Sequence, residues 1–265
     1  MPTIKKYMKT YKSRALWGKL RVSRMLLKNS ATASLIPTTR SLSLKLLTLM
    51  LARYKTLYIK PDIGSLGMGI HRLSTSSYGG YELISVVSRK QITRIFPTIN
   101  SVYRLLKRAE VNGKLIIQRG ISLDLVGGKP YDLRAMVQRR PDGPWTYTGT
   151  IAKIASPNRI VTNVHQGAQV CMVSKLWEMQ GLSLQAASAY ERMIESKALT
   201  ISRSLSRQYT GMYEMGIDFA FDRSKKLWVI EVNTNHPQFG PIKKLDRATY
   251  NRMASYARSY GRMDH

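Results

Sequence analysis

GIDFAFDRSKKLWVIEVN, residues 216–233, is the stretch whose reading decides the fold. Two runs of alternating side-chain character flank RSKK (223–226), the pattern of an antiparallel hairpin whose successive side chains point to opposite faces. Centring the turn on RSKK pairs Asp222 with Leu227, Ala220 with Val229, Asp218 with Glu231, and Gly216 with Asn233. Alternation then places Ile217, Phe219, Phe221, Trp228, Ile230 and Val232 on the core face and leaves Asp218, Glu231 and Asn233 together on the other. Directly opposed like charges destabilise a sheet by up to about 1 kcal/mol, so a compensating charge is expected beside Asp218 and Glu231. Three hard oxygen donors suit Mg²⁺ or Mn²⁺. Neighbouring Lys or Arg side chains would neutralise the pair as well.

Upstream of the hairpin, Tyr190, Ile194, Ala198, Ile201 and Leu205 recur at helical spacing and predict a long helix over 185–208. PYDLRAMVQR (130–139) and PWTYTGTIAKIA (144–155) are strand-like runs separated by the turn signal RPDG. Further strands are expected at YKTLYIK (54–60), IHRLS (70–74), YELISVV (81–87) and KLIIQ (114–118). Helices are expected at 99–110 and, with Ser41 as N-cap, at 41–54, where Leu46, Leu47, Leu51 and Ala52 share a face. Strands and helices mixed in this way, with hairpins and few βαβ units, predict an α+β protein of two lobes.

The chain of 265 residues carries 43 Lys and Arg against 15 Asp and Glu, a formal charge of +28. Residues 1–60 hold 14 of the cations and no acid, which is half of the excess. Such a field attracts polyanions of many kinds and is expected to give nonspecific polyanion binding. No RNP-type, C2H2 or helix-turn-helix pattern accompanies it to mark a specific nucleic-acid reader. An apolar content of 43% excludes global disorder. Cys171 stands alone, which fits a reducing, cytoplasmic setting and offers no zinc cluster. The longest apolar run, Leu46–Ala52, is far short of the roughly 20 residues of a membrane span, and the N-terminus lacks a signal-peptide core.

KPDIGSLGMGI (60–70) puts Gly64, Gly67 and Gly69 directly after a strand ending in Lys60. Glycines let backbone N–H groups converge on an anion, and Lys60 adds a positive charge, so the loop can cradle phosphate. It is neither a Walker A sequence nor a dinucleotide fingerprint, and a glycine-rich hairpin turn accounts for it equally well. In YDLR (131–134), Asp132 and Arg134 share a strand face, with Arg134 able to meet an anion bidentately. Lys153 follows in the next strand, and RIVTNVHQGA (159–168) supplies Asn163, His165 and Gly167.

The order of these elements resembles the ATP-grasp superfamily: strand, Lys60 and glycine loop, then LIIQRGI (115–121), DLR (132–134), TN (162–163) and GID…EVN (216–233). The wording of QRGISL, YDLRAMVQ, VTNVHQGA and LWVIEVN is similar to its YheC/YheD-like branch, which is associated with endospore coats. The resemblance implies ATP held between two α+β lobes, a small one over 55–118 and a large one over 119–265. Residues 1–54 would then form a basic helical segment in place of a full N-terminal domain, which is expected to be truncated.

It further implies that Lys60, Gly64, Ser65, Gly67 and Gly69, with Lys19 as a second lysine, hold phosphates, and that Gln118, Arg119 and Ile121 line the adenine site. Asp218, Glu231 and Asn233 would bind Mg²⁺, while Arg134, Lys153 and Asn163 would stabilise the transferring phosphoryl group and an acylphosphate. The implied activity is ATP-dependent ligation of a carboxylate, of an anionic peptide or small molecule, to an amine. The alternative is a noncatalytic spore-coat or polyanion-binding protein that keeps the fold.

Overall fold

The computed structural model describes residues 9–64, 67–87, 90–110, 113–157 and 159–264. Two antiparallel sheets form its frame. The first is built from β1 (Thr39–Ser41), β2 (Thr56–Pro61), β3 (His71–Thr75), β4 (Tyr81–Val87), β5 (Lys90–Phe96) and β6 (Leu115–Arg119), in the order β1-β6-β2-β3-β4-β5. The second joins β8 (Lys129–Gln138), β9 (Thr146–Ile154), β10 (Gln169–Met172), β11 (Glu214–Phe221) and β12 (Leu227–Asn233) in the order β10-β9-β8-β11-β12, with the short β7 (Leu125–Val126) paired to β8.

One face of the first sheet is covered by α3 (Leu44–Arg53) and α4 (Ile99–Ala109), with Leu47, Met50, Leu51, Val102 and Leu106 packed on Leu57, Ile59, Leu73 and Leu83. Each such buried side chain contributes roughly 1.5–3 kcal/mol. The cap of α3 is Ser43, whose hydroxyl accepts from the Leu46 N–H; Ser41, expected to cap it, is instead the last residue of β1 and pairs with Ile116. The edge strand KQITRIF (β5) was not foreseen from the sequence. Its burial is almost nil on both faces, so it carries no alternation.

One face of the second sheet packs on α1 (Lys19–Leu27), α5 (Val173–Met179) and α6 (Leu184–Gln208). Ile194, Ala198, Ile201 and Leu205 of α6 are fully buried, as their spacing predicts. The opposite face is only partly covered. At one end α7 (Arg247–Ser259) lays Met253, Ala254 and Ala257 over Met136 and Ile151. The remainder of that face carries Asp132, Arg134, Lys153, Asp218 and Glu231.

Residues 1–54 do not form a segment apart, over their described portion. Leu16, Val22, Leu26, Leu35 and Ile36 belong to the core of the second sheet. Residues 39–53 supply an edge strand and a helix to the first. Residues 1–8 lie outside the described residues.

The chain ends meet at Glu214, which is fully buried. Lys9 (3.1 Å), the Tyr11 hydroxyl (2.5 Å), the Tyr260 hydroxyl (3.1 Å) and Arg262 (2.6 Å) all converge on its carboxylate. Removing one member of a buried ion cluster strands the others without compensation. Glu214→Ala is therefore expected to lower unfolding free energy by about 3–5 kcal/mol in urea denaturation.

Candidate active site

The site grows from strand register. β8 and β11 pair Arg134 with Asp218, β8 and β9 pair Asp132 with Lys153, and β11 and β12 pair Asp218 with Glu231 and Gly216 with Asn233. The last two pairs are those predicted from the turn. Beyond them the register shifts by one residue: Phe219 pairs with Val229, Ala220 with Trp228 and Phe221 with Leu227, so that Ile230 is the extra residue of a bulge. The pairs Ala220–Val229 and Asp222–Leu227 are thereby corrected. Leu227 and Val229, rather than Trp228 and Ile230, join Ile217, Phe219, Phe221 and Val232 in the core.

Asp218 is 7% exposed and both of its oxygens are engaged. Arg134 donates from Nε to Oδ1 at 2.6 Å and from Nη2 to Oδ2 at 2.8 Å, and Lys153 donates to Oδ1 at 3.1 Å. Lys153 also pairs with Asp132 at 2.8 Å, and Asp132 accepts from the Thr162 hydroxyl. Burial alone would raise the Asp218 pKa, but the Arg134 and Lys153 charges outweigh it and hold the carboxyl well below the usual range. Asp132 is pushed up to about 6 by burial, against the pull of Lys153 and with the Asp218 charge adding to the rise. Gly216 gives Arg134 its path: a Cβ there would lie 2.8 Å from the Pro237 Cβ and 3.1 Å from the Arg134 Cδ.

Two further lysines reach this floor, Lys60 from the first sheet and Lys19 from α1. Lys60, at the end of β2, is 5% exposed and donates to the carbonyl of the bulge residue Ile230 at 3.4 Å. Lys19 opens α1 and bridges the Gly64 carbonyl (3.1 Å) and Glu231 (3.4 Å). It is set there by Asp62, whose carboxylate accepts from the Leu20 N–H at 2.8 Å and caps α1 across the fold. Neither Asp62 nor the Ile230 carbonyl was foreseen as part of the site. Both act through tertiary contacts that leave no spacing signal.

The glycine loop touches the Asn163 segment. Gly67 has φ +69, and a Cβ there would lie 3.2 Å from that of Asn163. Asn163 itself caps the short 3₁₀ turn Val164–Gln166, accepting from the His165 N–H. Ser65 lies outside the described residues. Gln118, Arg119 and Ile121 sit at the exit of β6 towards the second lobe. Gln118 donates to Thr39 at 3.1 Å and, with Lys19, Val229, Ile230 and Glu231, lines a small cavity. Arg119 instead lies over the rings of Tyr54 (5.2 Å) and Trp228 (4.9 Å), and Ile121 is half-buried. Four cations, Lys19, Lys60, Arg134 and Lys153, thus meet three carboxylates, Asp132, Asp218 and Glu231.

For a divalent ion, the oxygens of Asp218, Glu231 and Asn233 are of the hard type that Mg²⁺ takes. Glu231 is more accessible than Asp218, its side chain 30% exposed with one 3.4 Å contact to Lys19. Asn233 Oδ1 accepts from the Asn235 N–H at 3.0 Å, and Asp218 is committed to Arg134 and Lys153. Among the described residues no three His, Cys, Asp or Glu side chains cluster as a metal site. The donor types therefore suit a divalent ion, while in this structure the Asp218 oxygens are held by Arg134 and Lys153.

Two sheets facing one another across a cleft of lysines and carboxylates are the architecture of the ATP-grasp fold. D-alanyl-alanine synthetase A from Vibrio cholerae superposes with a TM-score of 0.50 at 11% identity, over 90% of this chain and 65% of that one. The family model described as YheC/D like ATP-grasp matches residues 8–262, and the chain belongs to that family. A curated relative, the endospore coat-associated protein YheD of Bacillus subtilis, is 27% identical over 263 residues, covering 96% of this chain. The chain spans 57% of the length of that relative. No helix among the described residues is long and apolar enough to cross a membrane.

Burial lowers the Lys60 pKa from 10.5 to about 8, with Lys19 adding to the fall and Glu231 opposing it. Between these two values the unfolded chain keeps a proton that the folded protein has released, so stability rises with pH across that window. The Lys60 contribution is expected to grow by about 3 kcal/mol from pH 7.5 to 10.5. Urea titrations of wild type and Lys60→Met at several pH values check it: the difference between them should follow that rise.

Proposed function

We propose that the protein is an ATP- and Mg²⁺-dependent carboxylate–amine ligase that works through an acylphosphate. The observation that carries this reading is the convergence of Lys19, Lys60, Arg134 and Lys153, from both sheets, on a single polar floor with only three carboxylates. A surplus of buried positive charge favours a polyanionic ligand, and phosphoryl transfer needs positioning and charge neutralisation more than a protein nucleophile. Lys19, Lys60 and the backbone of the 64–69 loop would bind the triphosphate, with Gln118 to Ile121 beside the adenine. Asp218, Glu231 and Asn233 would hold Mg²⁺, which when bound neutralises phosphate charge.

Arg134, with Lys153 and Asn163 in support, would then face the transferred phosphoryl group and the substrate carboxylate. In the balance of the reaction, a carboxylate oxygen takes the γ-phosphoryl group and ADP leaves. The amine then forms the amide bond at the acyl carbon and phosphate leaves. Asp132 holds Lys153 in place from the neighbouring strand.

ADP release should require both a carboxylate and an amine and fall at least about 100-fold in Glu231→Gln, the size of effect seen when an electrostatic partner of the transition state is lost. Mn²⁺ binding in the presence of ATP, followed by electron paramagnetic resonance, should weaken in the same variant. Unchanged turnover and unchanged Mn²⁺ affinity together would remove the mechanism.

The second reading is a noncatalytic polyanion-binding protein, favoured by the 14 cations and absent acids of residues 1–60. It predicts salt-sensitive heparin binding that survives Lys60→Ala, with no ATP turnover under any substrate pair.

A further inference from the structure

Much of the positive charge lies where the cleft cannot use it. In β2, Leu57 and Ile59 point to the helical layer of the first sheet, so Lys60, by alternation, points to the opposite side, into the cleft. The outer surface of that helical layer is a separate face, formed by α3 and α4 side by side. On α3, Lys45, Leu49 and Arg53 recur every four residues and are all exposed, opposite the buried Leu47 and Leu51. On α4, Arg104 and Arg108 form a parallel exposed stripe opposite Val102 and Leu106. The acid within α4's C-terminal turn, Glu110, is taken by Lys107.

We propose that this α3–α4 face is a docking surface for an anionic lipid bilayer. Three features of the face select that partner. It carries an exposed aliphatic side chain, Leu49, 57% exposed and flanked on its own stripe by Lys45 and Arg53, so that side chain meets the acyl boundary while cations meet the headgroups. It is built from two helices lying on a sheet, which offers an extended surface rather than a groove shaped to a strand of polymer. Its aromatic residues, Tyr54 and Tyr103, are half-buried, and Tyr54 is covered by Arg53 and Arg119, so no open ring is offered for base stacking. Adsorption on the surface is meant, with both helices staying packed on the first sheet. The face is independent of the ligase reading, because it lies across the sheet from Lys60.

Cosedimentation of the full chain with vesicles tests the assignment. Vesicles of phosphatidylcholine with phosphatidylglycerol should bind the protein, pure phosphatidylcholine vesicles should not, and rising salt should release it. Arg104→Ala and Arg108→Ala should each weaken binding about fivefold, the equivalent of about 1 kcal/mol per cation at an anionic membrane. Leu49→Ser should weaken what binding persists at raised salt, and Lys60→Ala should leave vesicle binding unchanged. Leu49, Arg104 and Arg108 are exposed, and retained circular dichroism identifies the folded variants. Three results would overturn the proposal: equal binding to neutral and anionic vesicles, loss of vesicle binding in Lys60→Ala, or heparin or RNA binding that depends on Arg104 and Arg108 while anionic vesicles are ignored.

Discussion

The bidentate contact between Arg134 and Asp218 is the constraint around which the second sheet is arranged. A carboxylate 7% exposed is tolerable only when its charge is matched and its oxygens are occupied. Three donors from two strands do this: two nitrogens of Arg134 on β8 and the ammonium of Lys153 on β9. Because side chains alternate across a strand, that contact requires a fixed register among β9, β8 and β11; a slip of one residue would turn Asp218 into the α6-facing core. The close passage of Arg134 over Gly216 and beside Pro237 ties the same register to the loop following Asn233.

From this floor the rest of the site follows by contact between lobes. Lys60 meets the Ile230 carbonyl because a bulge turns that residue out of the ladder, and Lys19 meets Glu231 because Asp62 anchors the first turn of α1. The Asn163 segment belongs to the second lobe by sequence but leans on the first: the Tyr58 hydroxyl donates to the Ile160 carbonyl, and the Gln91 side chain accepts from the Ile160 N–H. Buried charge in the cleft is therefore shared between two sheets. The burial of Lys60 is only partly compensated by nearby carboxylates, so its pKa is lowered, and an anion beside it would relieve that cost.

The legible parts of the sequence were those with a strong local period. The alternation of 216–222 and 227–233 gave the hairpin, and its turn gave the opposition of Asp218 to Glu231 and of Gly216 to Asn233. Helical spacing gave α6 and its buried face, and the Asp132–Arg134 spacing put both side chains on one strand face. The bulge was illegible because Val229, Ile230 and Val232 are all apolar, so either phase of the alternation buries hydrophobic side chains. β5 was illegible for the opposite reason, as an edge strand exposed on both faces has no phase to read. Ser41 and Ser43 offer the same capping chemistry two residues apart, and strand pairing with Ile116 removed the first from the choice.

By itself the sequence determined the strands and helices that carry a strong local period, the family pattern of lysines, glycines and carboxylates, and the identity of two opposed acids among only 15. Those depend on local periodicity and residue chemistry, which a linear chain displays. Only the tertiary structure decided what stands beside each acid: Arg134 and Lys153 on Asp218, Lys19 on Glu231, and Lys60 on a carbonyl rather than a carboxylate. Of the basic residues among the first 60, it also placed Lys19 and Lys60 in the cleft and Lys45 and Arg53 on an exposed helical face. Charge compensation acts through space over a few ångströms, between residues as far apart as Lys19 and Glu231, and no spacing along the chain encodes it.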